Sequence, residues 1–292
     1  MNRCLKIAGV LLMALMFIGN AYAEDMIQIK GSDTLINLVQ RLSEVYMNEH
    51  SNDYIAVTGG GSGTGVAALI NKKCDIANAS RGMKAKEVDQ ATSAGVDAKR
   101  VVIAMDGLSV ITNGNNPVDK LTIQQIGSIF SGAITNWSEV GGPNKEITLY
   151  GRQSNSGTFV FFRDVVVKAD YSAKMNRMNG NAQIVEAVKQ DISGIGYVGV
   201  GYVKDARGVN VLKVASMEGA VYASPLNAND VKSGKYPIAR PLNQYLNGAP
   251  KGAVKDFIAF ELSDQGQKIV EEEGFFPIPK EYIDYNAQSV GL

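Results

Sequence analysis

The stretch MIQIKGSDTLINLVQRLSEVYMN, residues 26–48, sets a pattern that the rest of the chain repeats. Its first five residues alternate as in a β-strand, and a short loop of small and hydroxyl residues follows. From Thr34 to about Asn48, apolar residues recur at intervals of three and four, which predicts an amphipathic helix. Because a strand followed by a helix favours parallel pairing, this unit predicts a sheet with helices packed against it.

The same alternation continues along the chain and predicts an α/β fold. We expect two α/β lobes, with the chain crossing between them near residues 101–113 and 236–246 and the last long helix returning to the first lobe. Which element belongs to which lobe rests more on the resemblance described below than on spacing. Strands are predicted at 54–58, 75–79, 100–112, 147–150 and 195–198, and helices around 66–70 and at 84–94, 122–130, 158–167, 182–190 and 253–272.

The first 23 residues have the features of a secretory signal peptide. Arg3 and Lys6 precede an apolar run over residues 7–18, and Ala21-Tyr22-Ala23 supplies a small-x-small cleavage signature. We expect cleavage after Ala23 and no lipid anchor, because Cys4 precedes the apolar run. Cleavage would leave Cys74 as the one remaining cysteine, so no internal disulfide is expected.

The charge balance argues against a nucleic-acid partner. The chain has 29 basic and 29 acidic residues, and loss of Arg3 and Lys6 with the leader brings the net charge to −2. A protein that holds a phosphate backbone needs a basic excess. An anionic ligand would therefore have to be held by local dipoles and one or two placed cations.

The sequence also lacks the residues that most hydrolytic or metal sites require. His50 is the one histidine, so a Ser-His-Asp triad or a multi-histidine metal site has no basis. A G-x-G-x-x-G match at 194–199 is not followed by a helical pattern. We therefore expect no enzymatic activity, no catalytic residue, no bound metal and no cofactor.

Three loops of glycine and hydroxyl residues each link a strand to a helix start, at 31–34, 59–65 and 151–158. Backbone N–H groups at a helix start are unpaired, glycine lets an ion approach them, and hydroxyls add neutral donors. The same residue types are ordinary helix N-caps, so one loop alone decides nothing. Five glycines in seven positions and Arg152, which can bind an oxyanion through two hydrogen bonds, favour a tetrahedral oxyanion site.

At these loops the chain resembles the periplasmic phosphate-binding proteins of ABC-type importers, the PstS family. The resemblance covers almost the whole chain after residue 23 and includes the motifs at 31–34, 61–66, 75–81, 129–142, 152–158, 194–198 and 275–279. It implies a two-lobed, type II periplasmic-binding-protein fold, in which each lobe is a mostly parallel sheet flanked by helices. After the signal peptide at 1–23, lobe 1 would comprise residues 24–107 and 241–292, and lobe 2 residues 108–240.

The resemblance also implies the residues that hold phosphate in the cleft. Thr34 would donate its hydroxyl and Leu35 its backbone N–H, and Ser62 would donate from the second loop. The other lobe would contribute its arginine and the hydroxyls that follow it. With the neighbours of these residues, the candidate set is Ser32, Asp33, Thr34, Leu35, Ser62, Ser80, Arg81, Arg152, Ser156, Gly157 and Thr158.

Arg81 departs from the family pattern, in which many relatives carry a Ser-Asp pair where this chain has Ser80-Arg81. That Asp accepts the proton of phosphate and repels sulfate, which has no proton to give. Arginine can only donate, so Arg81 would contact the anion directly or pair with Asp33. Asp33 is the candidate replacement acceptor, and an ordinary helix N-cap is the alternative.

The resemblance implies a periplasmic protein that captures inorganic phosphate and delivers it to an ABC transporter permease in the inner membrane. It also implies a monomer. Three alternatives stay open: a binding protein for sulfate, molybdate or tungstate, a secreted metal-free phosphatase, and a sensor or adhesion protein of the same fold.

Overall fold

The computed structural model describes residues 26–292, so the predicted leader and its cleavage site lie outside the described residues. Over this range the chain forms two five-stranded sheets and a two-stranded one. The strands are β1 (Ile27–Gly31), β2 (Ile55–Gly60), β3 (Ile76–Ala79), β4 (Ala98–Gly107), β5 (Ser109–Asn113), β6 (Lys120–Thr122), β7 (Thr148–Arg152), β8 (Asn176–Met178), β9 (Gly194–Val198), β10 (Val209–Val211), β11 (Lys213–Ala215) and β12 (Ala239–Asn247).

Helices alternate with these strands as the sequence predicted, which confirms the α/β class. They are α1 (Ile36–Glu49), α2 (Ser62–Ile70), α3 (Ala85–Ser93), α4 (Ile123–Ser131), α5 (Gly157–Phe162), α6 (Asn181–Gln190), α7 (Ala228–Lys232), α8 (Gly252–Leu262), α9 (Asp264–Glu272) and α10 (Lys280–Val290). A 3-10 turn at Asp33–Leu35 precedes α1, and a π-helical turn at Arg163–Val167 follows α5.

The first sheet has the strand order β2-β1-β3-β12-β4 and, with its helices, is called the first lobe below. β1 pairs in parallel with both β2 and β3, whereas β12 runs antiparallel to β3 and β4. Since β1, β2 and β3 are parallel, their carboxyl ends lie at one edge of the sheet. The loops at residues 31–34, 59–65 and 80–81 are therefore neighbours in space.

The second sheet has the order β10-β5-β9-β7-β8 and, with its helices, is called the second lobe. β7 is parallel to β8 and β9, while β5 is antiparallel to β9 and β10. The carboxyl end of β7 carries Arg152 and the loop to α5. That loop faces the three loops of the first lobe.

The chain passes from the first sheet to the second at Leu108, between β4 and β5, and re-enters the first sheet at Ala239. The single strand predicted for 100–112 is therefore two strands in different sheets, because a continuous apolar run does not show where a strand changes sheets. The lobe boundaries predicted at 107/108 and 240/241 remain a prediction and fall on these two passages.

The long helix predicted for 253–272 is broken at Ser263. Ser263 has an extended backbone, and its Oγ accepts a hydrogen bond from the N–H of Gly266 at 3.2 Å, so it caps α9. The predicted helix over 158–167 likewise ends at Phe162 and continues as the π-helical turn. Strands β6, β8, β10 and β11 and helices α7 and α10 were not predicted, and β12 falls largely on the segment predicted as the second crossing.

Three residues that lie outside the predicted anion site, Trp137, Cys74 and His50, are held in the structure by packing or hydrogen bonding. Trp137 is fully buried and donates its indole N–H to the carbonyl oxygen of Ser193 at 3.0 Å. Cys74 is buried, and burial raises the pKa of its thiol to about 11. The ring of His50 stacks on Tyr46 at the end of α1. The glycine motif at 194–199 leads from β9 into one 3-10 turn and opens no α-helix.

Glu261 on α8 and Gln244 on β12 form a fully buried polar pair in the first lobe. Gln244 Nε2 donates to Glu261 Oε1 at 3.0 Å, while Gln244 Oε1 and Glu261 Oε2 have no hydrogen-bond partner among the described residues. Burial raises the pKa of Glu261 to about 8, although the bond from Gln244 opposes the shift. A protonated Glu261 can donate to Gln244 Oε1, which would satisfy both remaining oxygens.

We expect this pair to make the free energy of unfolding depend on pH. The folded protein keeps the proton of Glu261 up to a pH of about 8, whereas the unfolded chain loses it near 4.5. The stabilisation is complete below the unfolded value and is lost as pH rises through the folded value, at up to about 1.4 kcal/mol per pH unit. Urea denaturation across this range measures the slope.

Glu261→Gln is the control for that measurement, because its amide supplies the donor at every pH. We expect the free energy of unfolding of the variant to fall less between about pH 4.5 and about pH 8 than that of the unaltered protein. An equal pH slope in both proteins would contradict the assignment of this dependence to Glu261.

Candidate anion-binding site

Ser80, which directly follows β3, lies where the loops of both lobes meet. Its Oγ is 3.0 Å from Ser32 Oγ and 3.3 Å from Ser62 Oγ, both in the first lobe. It is also 3.3 Å from Thr158 Oγ1, which belongs to the second lobe. All four side chains are at most 3% exposed. The structure thus brings hydroxyl groups from four separate stretches of chain into one buried cluster.

Thr34 and Gly157 complete the contact between the lobes. Thr34 Oγ1 lies 2.8 Å from Thr158 Oγ1, so the first loop and the Arg152 loop touch. A Cβ at Gly157 would overlap Ser62 Oγ and come within 2.8 Å of Ser80 Oγ. Because a side chain cannot fit there, glycine allows the backbone of α5 to approach the hydroxyl cluster.

The N-cap alternative holds for some of the predicted residues and not for others. Ser156 caps α5 by accepting from the N–H of Phe159 at 3.3 Å. Ser62 instead accepts from the N–H of Ser80 at 3.0 Å and makes no cap bond to its own helix. The N–H of Leu35 lies 3.2 Å from the carbonyl oxygen of Ser32, within the 3-10 turn.

Arg152 is 1% exposed and lies beside this cluster at the end of β7. Its Nη2 donates to the carbonyl oxygen of Asn179 at 2.8 Å. Nη1 lies 3.2 Å from Asp33 Oδ1, an ion pair that lacks hydrogen-bond geometry, and Nε has no hydrogen-bond partner among the described residues. Burial lowers the pKa of Arg152 and Asp33 opposes that shift, but arginine stays charged. The guanidinium therefore keeps unsatisfied donors.

Asp33 acts across the cleft and does not cap the helix of its own loop. It makes no cap bond to the 3-10 turn that it begins. Its Oδ1 accepts from the backbone N–H of Asn181 at 2.8 Å, which caps the first turn of α6 in the other lobe. The hydroxyl of Tyr202 donates to the backbone carbonyl oxygen of Asp33 at 2.7 Å. Asp33 Oδ2 makes no hydrogen bond within the part of the chain that the structure describes.

Arg81 does not pair with Asp33, one of the two roles expected for it. Its Nη1 and Nη2 donate to the two carboxylate oxygens of Glu87, each at 2.7 Å, and Nη1 also donates to the carbonyl oxygen of Gly82. Burial raises the pKa of Glu87, but the hydrogen bonds from Arg81 and Lys84 lower it by a larger amount, so the net shift of this pKa is downward. This bidentate pair engages both terminal nitrogens of the guanidinium, whereas Nε of Arg81 has no hydrogen-bond partner among the described residues.

Sequence reasoning missed a second buried ion pair at the site, between Arg240 and Asp106. Arg240 is 2% exposed and donates to Asp106 Oδ2 and to Thr158 Oγ1. The available signal was a single arginine within the apolar segment at 236–246, where the second crossing between the lobes is expected. Because Asp106 lies 134 residues earlier, the pairing itself was not visible in the sequence.

Two other kinds of feature are absent from the described residues. Within residues 26–292, no group of three or more His, Cys, Asp or Glu side chains is placed to hold a metal ion. Over the same range, no helix combines the length and apolar character that crossing a bilayer needs.

Comparison with known proteins identifies the family. A family model described as a PBP superfamily domain matches residues 19–265. The phosphate-binding protein PstS of Pseudomonas aeruginosa is 31% identical over 280 residues, covering 90% of this chain and 86% of that protein. PstS of Borreliella burgdorferi is 31% identical over 266 residues, covering 87% and 91%.

A solved structure agrees with these sequence matches. It is the crystal structure of a putative phosphate ABC transporter substrate-binding protein from Clostridium perfringens with bound phosphate. The two chains are 30% identical with a TM-score of 0.77, and the match covers 87% of this chain and all of the other. The two-lobed periplasmic-binding-protein fold is thereby confirmed. The chain belongs to the PstS family of phosphate-binding proteins, which are substrate-binding proteins of ABC transporters and not enzymes.

Proposed function

We propose that this protein captures inorganic phosphate between its two lobes outside the cytoplasm and delivers it to an ABC-type importer. The observation that carries the proposal is the buried guanidinium of Arg152, which keeps unsatisfied N–H groups beside a cluster of buried hydroxyls. A tetrahedral oxyanion supplies the acceptors that this arrangement lacks. The names of the relatives support phosphate as that oxyanion.

The donors of the site suit an anion that leaves its hydration shell. Hydroxyls from Ser32, Thr34, Ser62, Ser80 and Thr158 can each turn a proton toward a bound oxygen. Arg152 adds a fixed charge that Asp33 partly balances, so the lobes can close without a large excess of one sign. Burying an anion is costly unless such bonds replace its water.

Asp33 supports a preference for phosphate over sulfate. Oδ1 of Asp33 faces Arg152 and Asn181, which leaves Oδ2 as an acceptor for a proton carried by phosphate. Sulfate carries no proton at neutral pH and would meet an unpaired carboxylate oxygen there. Arg81 is engaged by Glu87, so we assign it to holding the end of β3 in place without contact to the anion.

Lobe closure has its own contacts outside the anion site. The side chain of Asn155 in the second lobe donates to the carbonyl oxygen of Gly60 at 2.6 Å, and its backbone oxygen accepts from Gly63 at 3.0 Å. A Cβ at Gly61 would lie 2.9 Å from that oxygen, and Gly61 has a φ of +99°. The glycine-rich loop thus suits the approach of the other lobe.

The processing, location, oligomeric state and partner that we propose are those of the family. The signal peptide would be removed after Ala23 and the protein would act in the periplasm as a monomer. Its partner would be the permease of the importer in the inner membrane.

Calorimetric titration with inorganic phosphate, sulfate and molybdate tests the proposed function. We expect phosphate to bind at least about a hundredfold more tightly than sulfate. The reason is that the proton of phosphate pairs with the carboxylate of Asp33, whereas sulfate leaves that carboxylate oxygen unpaired. Tighter binding of sulfate or molybdate, or no binding of phosphate, would contradict the proposal.

Asp33→Asn should narrow the preference for phosphate over sulfate. The amide of asparagine offers a donor as well as an acceptor, so sulfate no longer meets an unpaired carboxylate. We expect the ratio of the two affinities to fall at least about tenfold in competition titrations. Asp53→Asn is the matched control, because Asp53 accepts from Tyr46 at a distant part of the first lobe. An unchanged ratio in Asp33→Asn would rule out this role.

Asn155→Ala should weaken phosphate binding although the residue need not touch the ligand. Loss of the amide removes a bond between the lobes, so the closed form becomes less favourable and phosphate leaves faster. The expected loss of affinity is about three- to tenfold, the value of one neutral hydrogen bond. Asn144→Ala is the control, since Asn144 bonds to Asn136 within one lobe. Equal dissociation rates in stopped-flow measurements of both variants would refute this account.

A further inference from the structure

Arg240 occupies the junction of the two segments that join the lobes. It lies near the start of β12, directly opposite Asp106 of β4 in the sheet register. Arg240 Nε and Nη2 both donate to Asp106 Oδ2, at 3.0 and 2.8 Å. Asp106 Oδ1 accepts from the N–H of Val200 in the second lobe at 2.9 Å. The carboxylate is therefore held by both lobes, and it holds the guanidinium in turn.

The other N–H groups of Arg240 donate to two residues of the candidate anion site. Nη1 donates to the carbonyl oxygen of Ser80 at 2.8 Å, and Nη2 donates to Thr158 Oγ1 at 2.9 Å. The guanidinium carbon lies 5.0 Å from the ring centroid of Phe161, which closes the remaining side. One rigid cation thus contacts a strand end of the first lobe and a hydroxyl of the second.

The bond to Thr158 fixes the direction of a hydroxyl. A hydroxyl has one proton to donate and two lone pairs that accept, whereas a guanidinium can only donate. Thr158 Oγ1 must therefore accept from Arg240, and its own proton has to point to another acceptor. Thr34 Oγ1 and Ser80 Oγ lie within reach, but each of them carries a proton of its own.

Ser62, a second hydroxyl of the cluster, shows the same arrangement. Its Oγ accepts from the backbone N–H of Ser80, a donor that cannot reverse its role. Two of the buried hydroxyls are thus fixed as acceptors from the protein. An anion in contact with these hydroxyls would receive both of their protons in competition only with neighbouring hydroxyl oxygens, which carry protons of their own.

We propose that Arg240 is a positioning residue of the phosphate site, which holds the hydroxyl of Thr158 as a donor toward the bound anion. This inference rests on the proposed function and explains how the same site is organised. Arg240 acts through Thr158, and Asp106 acts through Arg240. Because the donor is oriented before the ligand arrives, binding does not have to reorganise it.

Arg240→Lys tests the proposal in a protein that still pairs its buried Asp106. Lysine supplies a point charge in place of the planar fork, so it cannot serve Asp106, Ser80 and Thr158 together. We expect phosphate affinity to fall about tenfold, which is the low end for a hydrogen bond from a charged group. Arg41→Lys, at an exposed arginine that pairs with Glu44 on α1, should change the affinity less than about twofold.

The effect of Arg240→Lys is then measured in two variants of Thr158. In Thr158→Ser the hydroxyl remains, and the loss should be as large as in the unaltered protein. In Thr158→Val the hydroxyl is gone, and the loss should shrink to less than about twofold. An equal loss in the valine background, or no loss in the unaltered protein, would overturn the inference.

Two further outcomes separate this inference from the proposed function. If the unaltered protein binds sulfate or molybdate in place of phosphate, the proposed ligand fails, and the same cycle is run with the anion that binds. If no tetrahedral oxyanion binds, both proposals fail.

Should Arg240→Lys unfold in a thermal melt, the double variant Asp106→Asn/Arg240→Gln replaces the ion pair by an amide pair. A loss of affinity that persists with Thr158→Val would again overturn the inference.

Discussion

An anion leaves water only when a protein replaces the hydrogen bonds that water gave it, and here the replacement depends on where strands end. Because β1, β2 and β3 are parallel, three loops of the first lobe share one edge of its sheet. The end of β7 presents a fourth loop from the second lobe. Ser80 contacts one residue in each of the other three loops, so it lies where all four loops meet.

Two arginines lie buried where these loops converge, and each is paired with a carboxylate. Arg152 faces Asp33, and Arg240 faces Asp106, with both guanidinium groups almost fully buried. In the first pair the two partners come from different lobes, so that pair exists only while the lobes are together. In the second pair the partners lie on the two strands that join the lobes. The first pair therefore joins the two lobes, and the second joins the two strands by which the chain passes between them.

Much of this architecture was visible in the sequence, since local periodicity gave β1, α1 and the strand–loop–helix units to within a few residues. Three-residue strands such as β8 were missed because they are too short to show any period. Long-range partners were missed for a different reason. Asp33 has the residue type of a cap for its own helix, yet its partner Asn181 is 148 residues away. The sequence predicted which residues form the loops, but only the fold shows that Arg240 lies beneath them.

The position of Trp137 has a consequence for how binding can be observed. It is the one tryptophan of the chain, fully buried, and bonded to Ser193, which directly precedes β9. The far end of β9 leads to Gly199, which lies against Thr34, and the strand between them spans roughly 20 Å. Intrinsic tryptophan emission would therefore report the packing of the second lobe and stay almost unchanged when an anion enters the cleft. A fluorescent reporter of ligand capture has to be introduced near the cleft rim.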